Sequence, residues 1–145
     1  MKVLKRYKFC NGNLLIKIPS DYLKREVNIG YSGFFMTSDE SRYIFIKDNI
    51  EIKDNFDETK KLYINNLKKY ITKIKEDIVN INGHRTYISQ IQIANKEGIF
   101  EYKIIMIDMY DYSVCIILGS KQKNNLLWNK EMDYLIKTIR IIDNE

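Results

Sequence analysis

The chain has 145 residues, 45% of them hydrophobic and 30% charged. That is a globular composition for one domain spanning residues 1–145, large enough to need no disulfide framework or structural metal. The formal charge is +5, carried as +7 by residues 1–75 and −2 by residues 76–145, and no run approaches the roughly 20 apolar residues of a membrane span.

Met1-Lys2-Val3-Leu4-Lys5-Arg6-Tyr7-Lys8 is basic but leads into no apolar core, so a signal peptide is not expected and a cytoplasmic setting is. The first expected strand is Asn13 to Ile18, with Leu14, Ile16 and Ile18 on one face. Pro19 ends it, and Pro19-Ser20-Asp21 reads as a turn. Tyr31 to Met36 and Arg42 to Lys47 are the next two strands. Between them Asp39-Glu40 reads as a solvated loop, while the aromatic stretch Gly30 to Phe35 reads either as a lip over a groove or simply as the approach to the Tyr31 to Met36 strand.

Asp57 to Ile74 reads as the clearest helix. Tyr63, Leu67, Tyr70, Ile71 and Ile74 repeat at helical period, and Asp57 is placed to cap the first turn. Lys60, Lys61, Lys68, Lys69 and Lys73 would then form a basic outer face, with Glu76-Asp77 as charges near its end.

A four-strand meander follows. Asn82-Gly83 is a strong two-residue hairpin signal, because both positions tolerate positive φ. Asn95 to Gly98 and Asp108 to Asp111 make the later turns. Phe100, Tyr102, Ile104 and Met106 share one strand face, Ile105 and Ile107 the other. Tyr112 to Leu118 is apolar or small on both faces, which requires cover on both sides of the sheet. Alternation slips between Ile88 and Ile91, where a bulge would turn both inward. The last helix runs from Asn125 to Thr138, with Trp128, Met132, Leu135, Ile136 and Ile139 on one stripe, and Ile139 to Ile142 makes a short closing strand.

The expected architecture is α+β: a central antiparallel sheet of about six or seven strands sandwiched between helices. The opening strand that runs into proline and an aromatic (Leu14 to Tyr22) resembles the PsbP-like superfamily. So do the mid-chain amphipathic helix, Ile81-Asn82-Gly83, and the Trp-bearing last helix that leads into Thr138-Ile139-Arg140-Ile141. The resemblance covers about Phe9 to Ile142 and suggests a small bacterial member of that group. It implies an α/β/α sandwich and a binding or assembly role, with no catalytic motif to carry over.

The residues themselves announce no chemistry. The sole histidine, His84, is expected exposed at a hairpin tip, and one histidine with two separated cysteines, Cys10 and Cys115, does not make a zinc site. Cys115 reads as a buried thiol, and a Cys10–Cys115 bridge stays open. Asp108 and Asp111 read as turn residues rather than an acid–base or cation pair. No phosphate-cradling glycine motif is present.

The expected function is therefore a non-catalytic interaction module, not an enzyme and without cofactor, catalytic or metal residues. It would bind a protein partner through a sheet edge or the surface around Tyr31, Phe34 and Phe35. An open sheet edge also offers a route to a homodimer. The alternatives are a small-ligand carrier with a pocket between helix and sheet, or nucleic-acid contact through the lysine face. The latter is disfavoured because Tyr63 and Tyr70 lie on the apolar stripe rather than among the lysines.

Overall fold

The structure is a computed structural model that describes residues 3–27, 31–39, 41–65, 70–121 and 125–142; the side chains of 73, 125 and 126 are not among them. In chain order the elements are β1 (Leu4–Phe9), β2 (Leu14–Pro19), β3 (Tyr22–Glu26), β4 (Ser32–Met36), β5 (Tyr43–Ile50) and α1 (Phe56–Asn65). Then come β6 (Ile71–Ile81), β7 (His84–Asn95), β8 (Gly98–Asp108), β9 (Ser113–Lys121), α2 (Asn125–Lys137) and β10 (Arg140–Ile141). They form a seven-stranded antiparallel sheet, ordered β3-β4-β5-β9-β8-β7-β6, and a separate three-stranded sheet, β1-β2-β10.

Two strands escaped the sequence reading. β1 is half lysine and arginine, and it pairs with β2 from Leu4↔Pro19 to Phe9↔Leu14. The link between them passes through Cys10, Asn11 and Gly12, all at positive φ. β3 exposes four of its five residues as a border strand, so its pattern carries little burial signal.

Pro19 is tolerated because β10 is short. β10 meets only Leu14 and Leu15, and the Lys17 amide turns instead to Thr138 Oγ1 at 3.1 Å. Pro19 shares the parity of Lys17, so its missing N–H would have faced the side where β10 has already ended.

The largest departure from expectation lies between Asp57 and Ile74. The helix ends at Asn65, and Ile71–Ile81 is a strand paired with β7 down to Ile71↔Ile93. Leu67, Lys68 and Lys69 lie outside the described residues. Ile71, Thr72, Ile74, Ile78 and Val79 are β-branched, which suits a strand, and the hairpin ladder supplies cross-strand bonds that a longer helix would forgo. The expected apolar stripe therefore does not exist: Tyr70 and Ile74 are exposed. Nor do the lysines form one face. Lys60 pairs with Glu76 at 2.9 Å, Lys61 pairs with Glu58 at 3.3 Å, and Lys73 stands on β6. Glu76 and Asp77, expected near a helix end, are strand residues.

The helix cap is also reassigned. Asn55 Oδ1 accepts the Glu58 amide at 2.9 Å, while Asp57 accepts from Tyr87 at 2.6 Å and from Arg85. The expected bulge at Ile88–Ile91 is absent. The β7–β8 ladder runs unbroken from Thr86↔Ile107 to Asn95↔Gly98, and Ile88 and Ile91 point to opposite faces. Both faces of β7 meet apolar cover, so both isoleucines pack inside without any slip.

The meander turns form as expected. Asn82 and Gly83 both have positive φ, and the Asn82 amide donates to the Ile141 carbonyl at 2.8 Å, tying the hairpin to β10. One face of the large sheet packs Ile44, Ile46, Ile105, Ile107, Val114, Ile116 and Leu118 against β2 and α2 through Leu14, Ile16, Trp128, Met132 and Leu135. The other face packs Ile91, Ile104, Met106 and Cys115 under Phe56, Tyr63 and Ile64 of α1. The cover is thus a helix plus a small sheet on one side and one short helix on the other, rather than helices alone.

Candidate partner-binding surface

α2 divides cleanly into two faces. Trp128, Met132 and Leu135 are buried, while Leu127 and Tyr134, one helical face away, are 65% and 56% exposed. A buried lysine fixes this orientation: Lys103 on β8 places Nζ 2.6 Å from Asp133 and 5.8 Å from the Trp128 ring centre. Tyr22 on β3 adds a second tie, its hydroxyl donating to Glu131 Oε1 at 3.3 Å. Burial first and the Glu131 carboxylate second push the Tyr22 phenol well above its ordinary range, so it remains a donor.

With α2 held this way, two grooves open between it and the small sheet. The first, about 300 Å³, is lined by Leu4, Pro19, Leu127, Lys130, Glu131, Tyr134 and Leu135. The second, about 480 Å³, is lined by Leu15, Ile16, Tyr134 and Thr138 together with Arg6, Lys17, Lys137 and Arg140. Four cations thus border the second cleft, and no carboxylate is among its described lining residues. Tyr134 borders both, so the apolar groove and the basic cleft lie side by side. No local pattern announces this site, because Arg6, Lys17 and Arg140 belong to three different strands.

The residues expected to bind a partner are separated by the sheet. Phe34 is fully buried, with Tyr7 and Phe9 at ring distances of 4.7 and 6.4 Å, and is unavailable to any partner. Tyr31 and Phe35 lie on the opposite face, half-buried. Phe35 packs against Tyr43 and Phe45 at 6.3 and 5.6 Å, Tyr31 against Phe45 at 6.2 Å, and Tyr43 against Tyr102 at 6.3 Å. Arg25 caps Phe35 and Lys47 caps Tyr31, at 4.5 and 5.5 Å. Gly30, the start of the aromatic stretch, lies outside the described residues, and Glu40 does too.

The candidate chemical groups are accounted for by structure. His84, expected exposed, is 1% exposed; its Nδ1 lies 2.8 Å from the Asp108 carbonyl and its ring packs, tilted, against Tyr110 at 4.5 Å. The ladder of β7 with β8 brings His84 under the next turn of the meander, which a local reading of the hairpin tip does not reveal. Asp108 Oδ1 accepts the Tyr110 amide at 2.9 Å, as a turn aspartate does. Cys10 and Cys115 are both free thiols. Burial pushes the Cys115 thiol up to about 12, and burial raises that of Cys10 as well. Among the described residues no group of three or more His, Cys, Asp or Glu side chains could hold a metal. No described helix is long and apolar enough to cross a membrane.

An antiparallel sheet backed by a helix and a small sheet defines an α+β class shared by several solved structures. No family model matches the sequence, and no curated protein does. The structure is similar to cyanobacterial PsbP from Synechocystis, with a TM-score of 0.75 at 8% identity over 98% of this chain and 94% of that one. It is similar to the Ran-binding protein Mog1p of Saccharomyces cerevisiae, with a TM-score of 0.63 at 15% identity over 99% and 97%. A Pseudomonas aeruginosa protein of unknown function matches with a TM-score of 0.60 at 12% identity over 98% of each chain. The chain has the PsbP-like fold. At such identities the likeness is one of fold.

Proposed function

We propose that this protein is a non-catalytic interaction module that binds a segment of another protein along the α2–β1–β2 surface. The observation that carries the reading is the shared border at Tyr134, where the apolar groove lies beside the cleft bordered by Arg6, Lys17, Lys137 and Arg140. A segment with apolar side chains followed by carboxylates complements both halves. The apolar half supplies burial, and the basic half supplies register and rate of encounter. The Ran-binding neighbour supports a partner-binding use of this fold. The groove beside α1 is lined by Lys47, Glu51 and Lys53 as well as Ile50, Leu62 and Tyr63, a mixed surface that gives an apolar ligand little to recognise.

The test is quantitative capture from lysate by the native chain and by three variants: Leu127→Asp, Lys17→Glu and, as a control on the β3 border, Leu23→Asp. A protein retained by the native chain and the control but lost by both groove variants supports the reading. Equal capture by all four overturns it. Binding of a single-stranded oligonucleotide that fades as salt rises and depends on Lys17 would assign the cleft to nucleic acid instead.

A further inference from the structure

β6 is a border of the seven-stranded sheet, and it pairs with β7 on one side only, with an unbroken register from Lys73 to Ile81. Long edges are ordinarily shortened, covered or charged. β6 carries the charges Lys73, Lys75, Glu76 and Asp77, and among them Ile74 and Ile78 stand 53% and 61% exposed on the same face.

The hairpin determines which backbone groups of β6 face outward. Ile81 and His84 flank the two-residue Asn82-Gly83 turn, so they form a hydrogen-bonded pair. Alternation from that pair directs the N–H and C=O groups of Val79, Asp77 and Lys75 toward β7. Those of Ile78, Glu76 and Ile74 point away, where another strand could take them.

We infer that the occupant of this edge is a second copy of the chain, paired antiparallel through β6 with Glu76 opposite Glu76 of the second copy. The segment Ile74-Lys75-Glu76-Asp77-Ile78 is self-complementary about its centre. In this register Ile74 faces Ile78 of the second copy, and Lys75 faces Asp77 of the second copy, each twice by symmetry. All three pairs of outward-facing residues exchange backbone hydrogen bonds. Sliding by two residues sets Lys75 against Lys75 or Asp77 against Asp77, and sliding by one sets outward groups against inward ones. The facing Glu76 carboxylates arrive already compensated, since Lys60 holds each at 2.9 and 3.1 Å and Ser89 donates to it at 3.2 Å. A foreign strand has no reason to match this palindrome of charge.

Sedimentation velocity over a range of concentrations tests the pairing. The native chain should show a reversible monomer–dimer equilibrium. Lys75→Asp and Asp77→Lys should each weaken it by roughly tenfold, because two attractive contacts become repulsive. The double variant, with the charges exchanged, should restore it, and the two single variants mixed should form a heterodimer more readily than either self-associates. Both side chains are exposed, so circular dichroism should be unchanged. A chain that stays monomeric throughout, or a dimer indifferent to these charges, or one the double variant fails to restore, overturns the inference.

Discussion

Lys103 on β8 and Asp133 on α2 are joined at 2.6 Å across the main core, but they are not equivalent partners: the Lys103 side chain is 6% exposed and that of Asp133 62%. Removing the aspartate strands a buried ammonium. Removing the lysine returns a carboxylate to water.

The two deletions should therefore differ in cost. Asp133→Ala should destabilise the protein by about 1–3 kcal/mol, whereas Lys103→Met, which keeps the volume and drops the charge, should stay within about 1 kcal/mol. The double variant should be more stable than Asp133→Ala alone, as urea denaturation will show. Equal losses in both single variants would mean the ion pair does not orient α2.

Gly119 faces Tyr43 across the β5–β9 ladder, and a Cβ there would lie 2.6 Å from Tyr43 Cζ. The Tyr43 ring is stacked on Phe45 at 4.6 Å and has little freedom to retreat. Gly119→Ala should cost roughly 1–3 kcal/mol by overpacking. In a Tyr43→Ala background the same change should be nearly neutral, and a cost that persists there would place the strain elsewhere.

Cys115 is fully buried, and its thiol is protonated near neutral pH. Native protein should react with iodoacetamide at Cys115 only as fast as it unfolds globally, so the rate should rise in urea together with loss of fold. Rapid labelling in buffer would show that this face of the sheet opens locally.

Asp57 carries a pH-dependent share of stability. The hydrogen bond from Tyr87, and after it the Arg85 guanidinium, hold its carboxyl below the ordinary carboxylate range. A folded-state value depressed below the unfolded one, about 3.9 for aspartate, stabilises the fold above that unfolded value. The contribution is lost as pH falls through the folded value. Asp57→Asn should lower Tm near pH 7, and the gap to the native chain should close in strong acid. A gap independent of pH would assign the effect to packing.

Much of this architecture is legible from local patterns. The Asn82-Gly83 turn, the alternation of Leu14, Ile16 and Ile18, the two apolar faces at Tyr112 to Leu118 and the stripe from Trp128 to Ile139 all appear in the structure where neighbouring residues imply them. Each is set by φ preference or by side-chain period, properties of a few consecutive residues. The candidate surface was not legible, since Arg6, Lys17, Tyr134 and Arg140 meet only after β1 and β10 flank β2 and α2 settles above them.

The stretch from Ile71 to Ile81 shows where local reading stops. Its isoleucines satisfy a helical period as far as Ile74, and only the ladder with β7 decides for strand. His84 and Phe34 are settled the same way: a turn histidine becomes buried because β8 delivers the Asp108 carbonyl to it, and Phe34 because β1 closes over it through Tyr7 and Phe9. The sequence by itself determined the turns, most strand faces and the amphipathic α2. Tertiary structure decided which segments became border strands, which aromatics were buried and where charge converged, because pairing between strands distant in the chain sets burial and no window of neighbouring residues contains that information.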